Sequence, residues 1–198
     1  MPVIKGATLD PAQTRATILG AATRLLYERG LDGIGVAELC ASVGVSKETL
    51  YRHFGSKDGL VQAVLEARSD HVVRWLHDAA ATAGEDPAAQ LRAVFDALAR
   101  WHTKPTFRGC AIVNAATQQH NSPARAIATR HLDRHLDLLT GIAHRAGAPD
   151  AVHVGKQLLA LVEGATVLAD HHGDTDAASV AKEAALILLR SPQSNHNE

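Results

Sequence analysis

Lys47, Glu48, Thr49, Tyr51, Arg52, His53 and Lys57 crowd into one stretch, GVSKETLYRHFGSKDGL, from Gly44 to Leu60. As a set they offer cations, hydroxyls and one carboxylate, which suits contact with a polyanion better than bond-making chemistry. The spacing predicts a short helix opening at Lys47. At 100° per residue, Leu50 and Phe54 face inward, Glu48 and Arg52 point out, and Thr49 and Tyr51 lie on the flanks. With a glycine turn and another short helix before it, this is the pattern of a helix-turn-helix. In that motif the N-terminal end of the second helix, here Lys47, approaches base edges in the major groove. Tyr51, His53 and Lys57 suit phosphate. Lys57 also opens the next helix, where free backbone N–H groups favour an anion.

Other reactive residues form weaker patterns. Twelve histidines invite a metal reading. His131 and His135 are one helical turn apart in HLDRH, and His171 and His172 are adjacent. No cysteine or carboxylate completes a ligand set by spacing, so no metal is expected, and the His131/His135 pair is assigned to a polar, partly exposed helix face. Cys40 and Cys110 show no C-x-x-C spacing. A redox role for Cys110 has only Arg108 nearby to favour a thiolate. There is no P-loop, G-x-S-x-G or dinucleotide fingerprint, so neither an enzyme nor a cofactor is expected.

These residues need a scaffold, and the rest of the chain reads as helices. The 198 residues are 46% hydrophobic and 21% charged, with a formal net charge of −1. That supports a normal core and confines any nucleic-acid site to a local patch. Strand signals are nearly absent, so the fold class is all-α, with about nine helices. The first helix opens at Asp10-Pro11 and stops at Gly30. The second is built on Val36, Leu39, Cys40 and Val43 and broken by Gly44. Ser46 caps the third. Gly55-Ser56 ends it and caps a long fourth helix that keeps one apolar face from Leu60 to about Ala83. Further helices run from Pro87 to about His102, over CAIVNAATQ, from Pro123 to about Arg145, from Asp150 to about Asp170, and from Thr175 to Arg190. The tail SPQSNHNE is expected to fray. No uninterrupted apolar run of spanning length and no leader pattern appear, so a soluble cytoplasmic protein is expected.

The stretches ILGAATRLLYERG, VAELCASVGVSKETLYRHF and SKDGL, between about Thr14 and Leu65, resemble the DNA-binding domain of the tetracycline-repressor-like (TetR) family of transcription regulators. FRGCAIVNAATQ is similar to the C-terminal domain of one subgroup. Four positions depart from the family pattern. Gly35 replaces a capping Thr or Ser, Cys40 a close-packed alanine, and Leu26 a common aromatic. Ala37 stands where some members carry a base-reading arginine, so base reading falls mainly on Lys47, Glu48 and Thr49. Through Leu65 there are seven lysines and arginines against six acidic residues. One head alone should therefore bind DNA weakly, and a dimer on two half-sites would compensate.

The resemblance implies three segments: a DNA-binding domain at 8–58, a ligand-binding and dimerisation domain at 59–190, and a disordered tail at 191–198. It implies a homodimer on double-stranded operator DNA, regulated by a largely apolar small molecule. The ligand region it implies contains Trp75, Trp101, His102, Phe107, Cys110, Asn114, Gln118 and His135. The penultimate helix is apolar on most of its circumference and the last brings a second apolar stripe; the two either pair with their copies in a four-helix bundle or close the subunit's own core. The first option puts Leu158, Leu161, Gly164, Ala165, Leu168, Val180, Ala184, Ile187 and Leu188 at the interface. The functional expectation is a sequence-specific transcriptional regulator, a repressor released from its operator by its effector. The alternative is a DNA-binding redox or metal sensor without an organic effector.

Overall fold

The computed structural model describes residues 10–30, 35–118 and 123–190. Among them there is no strand. The helices are α1 (Pro11–Arg29), α2 (Val36–Val43), α3 (Lys47–Phe54), α4 (Lys57–Ala81), α5 (Pro87–His102), α6 (Ala111–Gln118), α7 (Pro123–Arg145), α8 (Ala151–Val167) and α9 (Ala177–Arg190), with a π-helical turn at Leu168–His172. All-α architecture is thus observed. The tail expected to fray lies outside the described residues.

Helix ends follow from local chemistry. The Asp10 carboxylate accepts from the Ala12 N–H at 3.1 Å, and Asp86 accepts from Ala88 and Ala89 ahead of α5. Asp150 accepts from His153 at the start of α8. Each satisfies N–H groups that have no partner within the helix. The π-helical turn takes over the end of the helix expected to reach Asp170.

The chain forms two compact units, divided between Arg68 and Ser69. The expected boundary after residue 58 came too early, because α4 has no break at which composition could mark a change. Its first turns belong with the N-terminal unit, where Leu60, Val64 and Leu65 are buried. Arg68 stacks over the Tyr27 ring in the same unit, 4.9 Å from its centroid.

In the N-terminal unit, α1, α2 and α3 pack around Ile18, Ala22, Leu39 and Leu50, all fully buried. Burying each large aliphatic side chain contributes about 1.5–3 kcal/mol. The exposed Arg29–Glu38 ion pair, 2.7 Å long, contributes about 0.2–1 kcal/mol. Apolar packing therefore sets this fold.

The C-terminal unit is built on Leu76, Leu91, Phe95, Leu98, Leu139, Ile142, Leu158 and Val162. Helix α7 packs on α8, and α9 on both α5 and α8. At Gly155 a Cβ would meet the Thr140 hydroxyl and would lie 3.1 Å from the Thr140 backbone, so α8 and α7 touch closely there. The segment Ala151–His172 is long and apolar enough to cross a membrane by length and composition. Val154, Leu158, Val162 and Ala165 on it are buried within this unit.

Candidate nucleic-acid interface and effector region

The turn before α3 is set by Gly44. Its φ of 70° and ψ of 31° place it in the left-handed region that glycine adopts at least cost. The Gly44 and Val45 N–H groups both donate to the Cys40 carbonyl, closing α2. Ser46 Oγ then accepts from the Thr49 N–H at 3.0 Å and lies 3.0 Å from Thr49 Oγ1. At the far end the Gly55 N–H donates to the Tyr51 carbonyl. Ser56 Oγ accepts from Gly59 to start α4. A Cβ at Gly59 would collide with the Phe54 carbonyl, so the α3–α4 corner is tight.

Leu50 and Phe54 are the buried pair of α3. Lys47, Glu48, Tyr51 and Arg52 are exposed, and Thr49, His53 and Lys57 are partly buried. Exposure of Tyr51, at 41%, is unusual for a large ring and leaves its hydroxyl free to reach a partner. Arg52 donates to Thr49 Oγ1 at 3.2 Å, which holds the guanidinium along the helix. Arg15, not singled out in the sequence, stacks over the Phe54 ring at 5.1 Å and braces α3 against α1. Its place one turn into α1 carried no pattern that would have linked it to Phe54.

Two clusters in the C-terminal unit gather most of the residues assigned to a ligand region. In the first, the Trp101 ring is edge-on to Phe107 at 4.8 Å and to Trp75 at 5.9 Å. His102 lies 4.9 Å from Phe107. Burial of His102 pushes its pKa below the ordinary histidine value, because charging the ring there would forfeit hydration. Its Nε2 is 3.4 Å from Thr166 Oγ1.

The second cluster centres on His131. Its Nδ1 is 2.9 Å from Ser69 Oγ and its Nε2 is 3.7 Å from Cys110 Sγ. The His135 ring lies 4.2 Å from it, and His135 Nδ1 is 3.8 Å from Glu163 Oε1. The polar, partly exposed face expected for His131 and His135 is corrected here: they are 0% and 5% exposed. They continue the buried stripe of α7 through Ala124, Ile127, Ala128, Leu138 and Ile142. That stripe is the signal in the sequence, since its spacing puts His131 and His135 on the inward face of α7. Ser69, Glu163 and Thr166 had no such signal, being partners only through the tertiary fold.

Two assigned residues stand apart. Gln118 is exposed at the end of α6. Asn114 donates to the Arg108 carbonyl at 3.1 Å, which ties down the loop before α6. In that loop Gly109 has φ 67° and the Asp170 carboxylate of the π-helical turn lies directly over it, where a Cβ would collide.

Of the residues assigned to an interface between copies, Leu168, Val180 and Ile187 are large, apolar and exposed, at 49%, 64% and 64%. Val152 and Val167 extend the same exposed character. Leu161, Gly164, Ala184 and Leu188 are partly buried, and a Cβ at Gly164 would meet nothing within the subunit. Leu158 and Ala165 are corrected: they are buried at 0% and 3% in the unit's own core. At 100° per residue Leu158 and Ala165 lie opposite the exposed His153 and Lys156 of α8, and that polar side was the mark in the sequence of which face turns inward.

A capped two-helix turn followed by a second capped helix, with a polar outer face, defines a helix-turn-helix protein. Residues 18–64 match the family model for bacterial regulatory proteins of the tetR family. The fold is similar to that of SCO4454, a TetR-family transcriptional regulator from Streptomyces coelicolor, with a TM-score of 0.79 and 28% identity over 92% of this chain and 97% of that one. It is similar also to a putative TetR transcriptional regulator from Streptomyces avermitilis, with a TM-score of 0.73 and 30% identity over 87% and 97% of the two chains. The chain belongs to the TetR family. Among characterised relatives it is 36% identical over 93 residues to the HTH-type transcriptional activator FasR of Mycolicibacterium smegmatis. That match covers 47% of this chain and 42% of FasR, so it spans less than half of that relative's length.

Proposed function

We propose that the chain is a sequence-specific DNA-binding transcriptional regulator, a repressor that works as a homodimer and is released from its operator by a small molecule held in the C-terminal unit. The observation that carries this reading is α3 itself. Ser46 and Gly55 fix its ends and Leu50 and Phe54 anchor it, while Lys47, Glu48, Tyr51 and Arg52 stay exposed. A solvated helix needs no such anchoring. A helix that must enter a groove in one orientation does. Lys57 in the first turn of α4 suits a phosphate, and Lys47 a base edge.

Dimerisation supplies what one head lacks in charge. The exposed Leu168, Val180 and Ile187, with the open position at Gly164, suit a helical pairing between copies. A ligand would act by favouring one of two arrangements of α4, which contributes residues to both units. Operator and ligand must then weaken each other by one common factor, typically about 5–150-fold.

The test begins with a DNA site selected from a random pool by the purified protein. Lys47→Ala should cost about 1–3 kcal/mol on that site and little on unrelated DNA. Lys57→Ala should weaken both alike and reduce the salt slope by about one contact. If both variants bind as the parent does, α3 is not the reading helix. Gly164→Leu should raise the monomer fraction in sedimentation; an unchanged dimer would move the interface elsewhere. Transcription in vitro from a promoter carrying the selected site should fall on adding the protein. A rise would make it an activator, as FasR is named.

A further inference from the structure

Phe54 closes α3, and three helices meet at it. Its carbonyl accepts from the Ser56 N–H at 2.9 Å and stands so close to Gly59 that a Cβ there would collide, which brings the first turn of α4 against it. The guanidinium of Arg15, on α1, lies over its ring, 5.1 Å from the centroid. The His53 ring is tilted against it at 6.4 Å. The side chains suited to phosphate, Tyr51, His53 and Lys57, all stand within three residues of the ring that carries Arg15.

Arg15 is exposed, yet it is held. An aromatic ring attracts a guanidinium within about 6 Å of its centroid and engages only the flat face of the group. The five N–H donors lie in the guanidinium plane and point outward along its edges. Among the described residues no carboxylate, carbonyl or hydroxyl takes any of them. The other cations of the unit differ. Arg29 is neutralised by Glu38 at 2.7 Å, and Arg52 is turned along α3 by Thr49. Arg24 is exposed on the opposite face of α1, because the step from residue 15 to residue 24 makes two and a half turns at 100° per residue. Covering a ring needs only an aliphatic side chain. A guanidinium adds a permanent charge and a flat fork of donors that matches two oxygens of a phosphate. Held against the ring, it has little rotamer freedom left to lose when an anion arrives.

We infer that Arg15 is a phosphate-contacting residue of the nucleic-acid interface, pre-organised by the Phe54 ring, and that it grips the DNA backbone together with Lys57 at the end of α3. The inference rests on the reading of α3 as the helix that enters the groove. It adds a cation from α1 to those of α3 and α4. Arg15 reads no base, so its contribution is the same on every sequence.

Fluorescence anisotropy on two labelled duplexes, the selected site and an unrelated sequence, tests this on the full chain over a series of KCl concentrations. Arg15→Met still covers the Phe54 ring but carries no charge. It should weaken both duplexes about tenfold for each head engaged and lower the slope of log affinity against log salt by about 0.9 per head. Arg15→Lys keeps the charge without the fork, so it should keep the slope and lose only part of the affinity. Arg24→Ala removes the same charge from the opposite face of α1 and should leave the slope as it is. Parent-like binding by Arg15→Met, or weaker binding at an unchanged slope, would make Arg15 a brace of α3 only and overturn the inference. An equal fall in slope for Arg24→Ala, or a loss confined to the selected site, would overturn it too. Lys57→Ala separates the two levels of the argument. If it lowers the slope and Arg15→Met does not, the inference falls and the reading of α3 stands; if neither does, both fall.

Discussion

The α3 surface and the buried histidine clusters are organised in opposite ways. Around α3 the hydrogen bonds that shape the helix are short in sequence, Ser46 to Thr49, Thr49 to Arg52 and Gly55 to Tyr51, and Arg15 over Phe54 is the longer brace. In the clusters the partners are 62 and 64 residues apart, Ser69 with His131 and His102 with Thr166. A locally determined surface can keep its shape while its outward side chains change. A site made of distant partners depends on the whole packing of its unit. The contrast suits the proposed function, in which the first is a rigid reading head and the second a region that responds to a ligand.

The same substitution placed at three glycines should break this contrast in order of size. At Gly59 a Cβ meets the fixed backbone carbonyl of Phe54, so Gly59→Ala should cost about 3 kcal/mol, the upper end for overpacking. Its effect should appear as lost DNA binding and lower resistance of the N-terminal unit to urea. At Gly155 the first obstacle is a Thr140 hydroxyl that can rotate away, with the backbone at 3.1 Å behind it. Gly155→Ala should therefore cost about 1 kcal/mol and act on the C-terminal unit. At Gly164 nothing is met, and Ala there should leave the subunit unchanged or gain up to about 1 kcal/mol of helix propensity. Equal losses at Gly59 and Gly155 would mean that the α3–α4 corner is softer than its geometry implies.

Removing the cap of α3 is a gentler probe. Ser46→Ala should cost about 1 kcal/mol, read as a lower urea midpoint at unchanged slope. If it left DNA affinity unaltered, the orientation of α3 would owe more to Leu50 and Phe54 than to its cap.

The smallest expected effect is the dependence of the His102 cluster on pH. His102 has a pKa lowered by burial, so the unfolded chain takes up a proton there before the folded chain does. Its stabilising contribution is complete above the unfolded value of about 6.5 and is lost as pH falls from there through the lowered folded value. His102→Gln should flatten this slope in urea titrations between pH 7 and 5. An unchanged slope would place the acid sensitivity elsewhere.

The same contrast explains what was legible in the sequence. The cap at Ser46, the turn at Gly44, the pair Leu50 and Phe54 and the span Pro123–Arg145 all depend on near neighbours, and they were readable. The inward face of α8 was marked only faintly: Leu158 and Ala165 lie opposite the exposed His153 and Lys156, while Leu161 and Leu168 lie on the flank. The burial of His131 was written in the α7 stripe, but its hydroxyl partner Ser69 was not. The place of the unit boundary was hidden because a continuous helix leaves no punctuation.

Gly109 has a consequence in the currency of heredity. Its backbone angle excludes most side chains, and the Asp170 carboxylate occupies the space that any of them would need. Every glycine codon becomes, by any coding change at its first or second base, either a residue with a Cβ or a stop. Every coding change at Gly109 therefore sets a Cβ on a left-handed backbone and obliges the Asp170 side chain to turn aside. The loop before α6 and the turn after α8 thus constrain one another, and a library that randomises both should recover non-glycine residues at 109 more often alongside a smaller residue at 170.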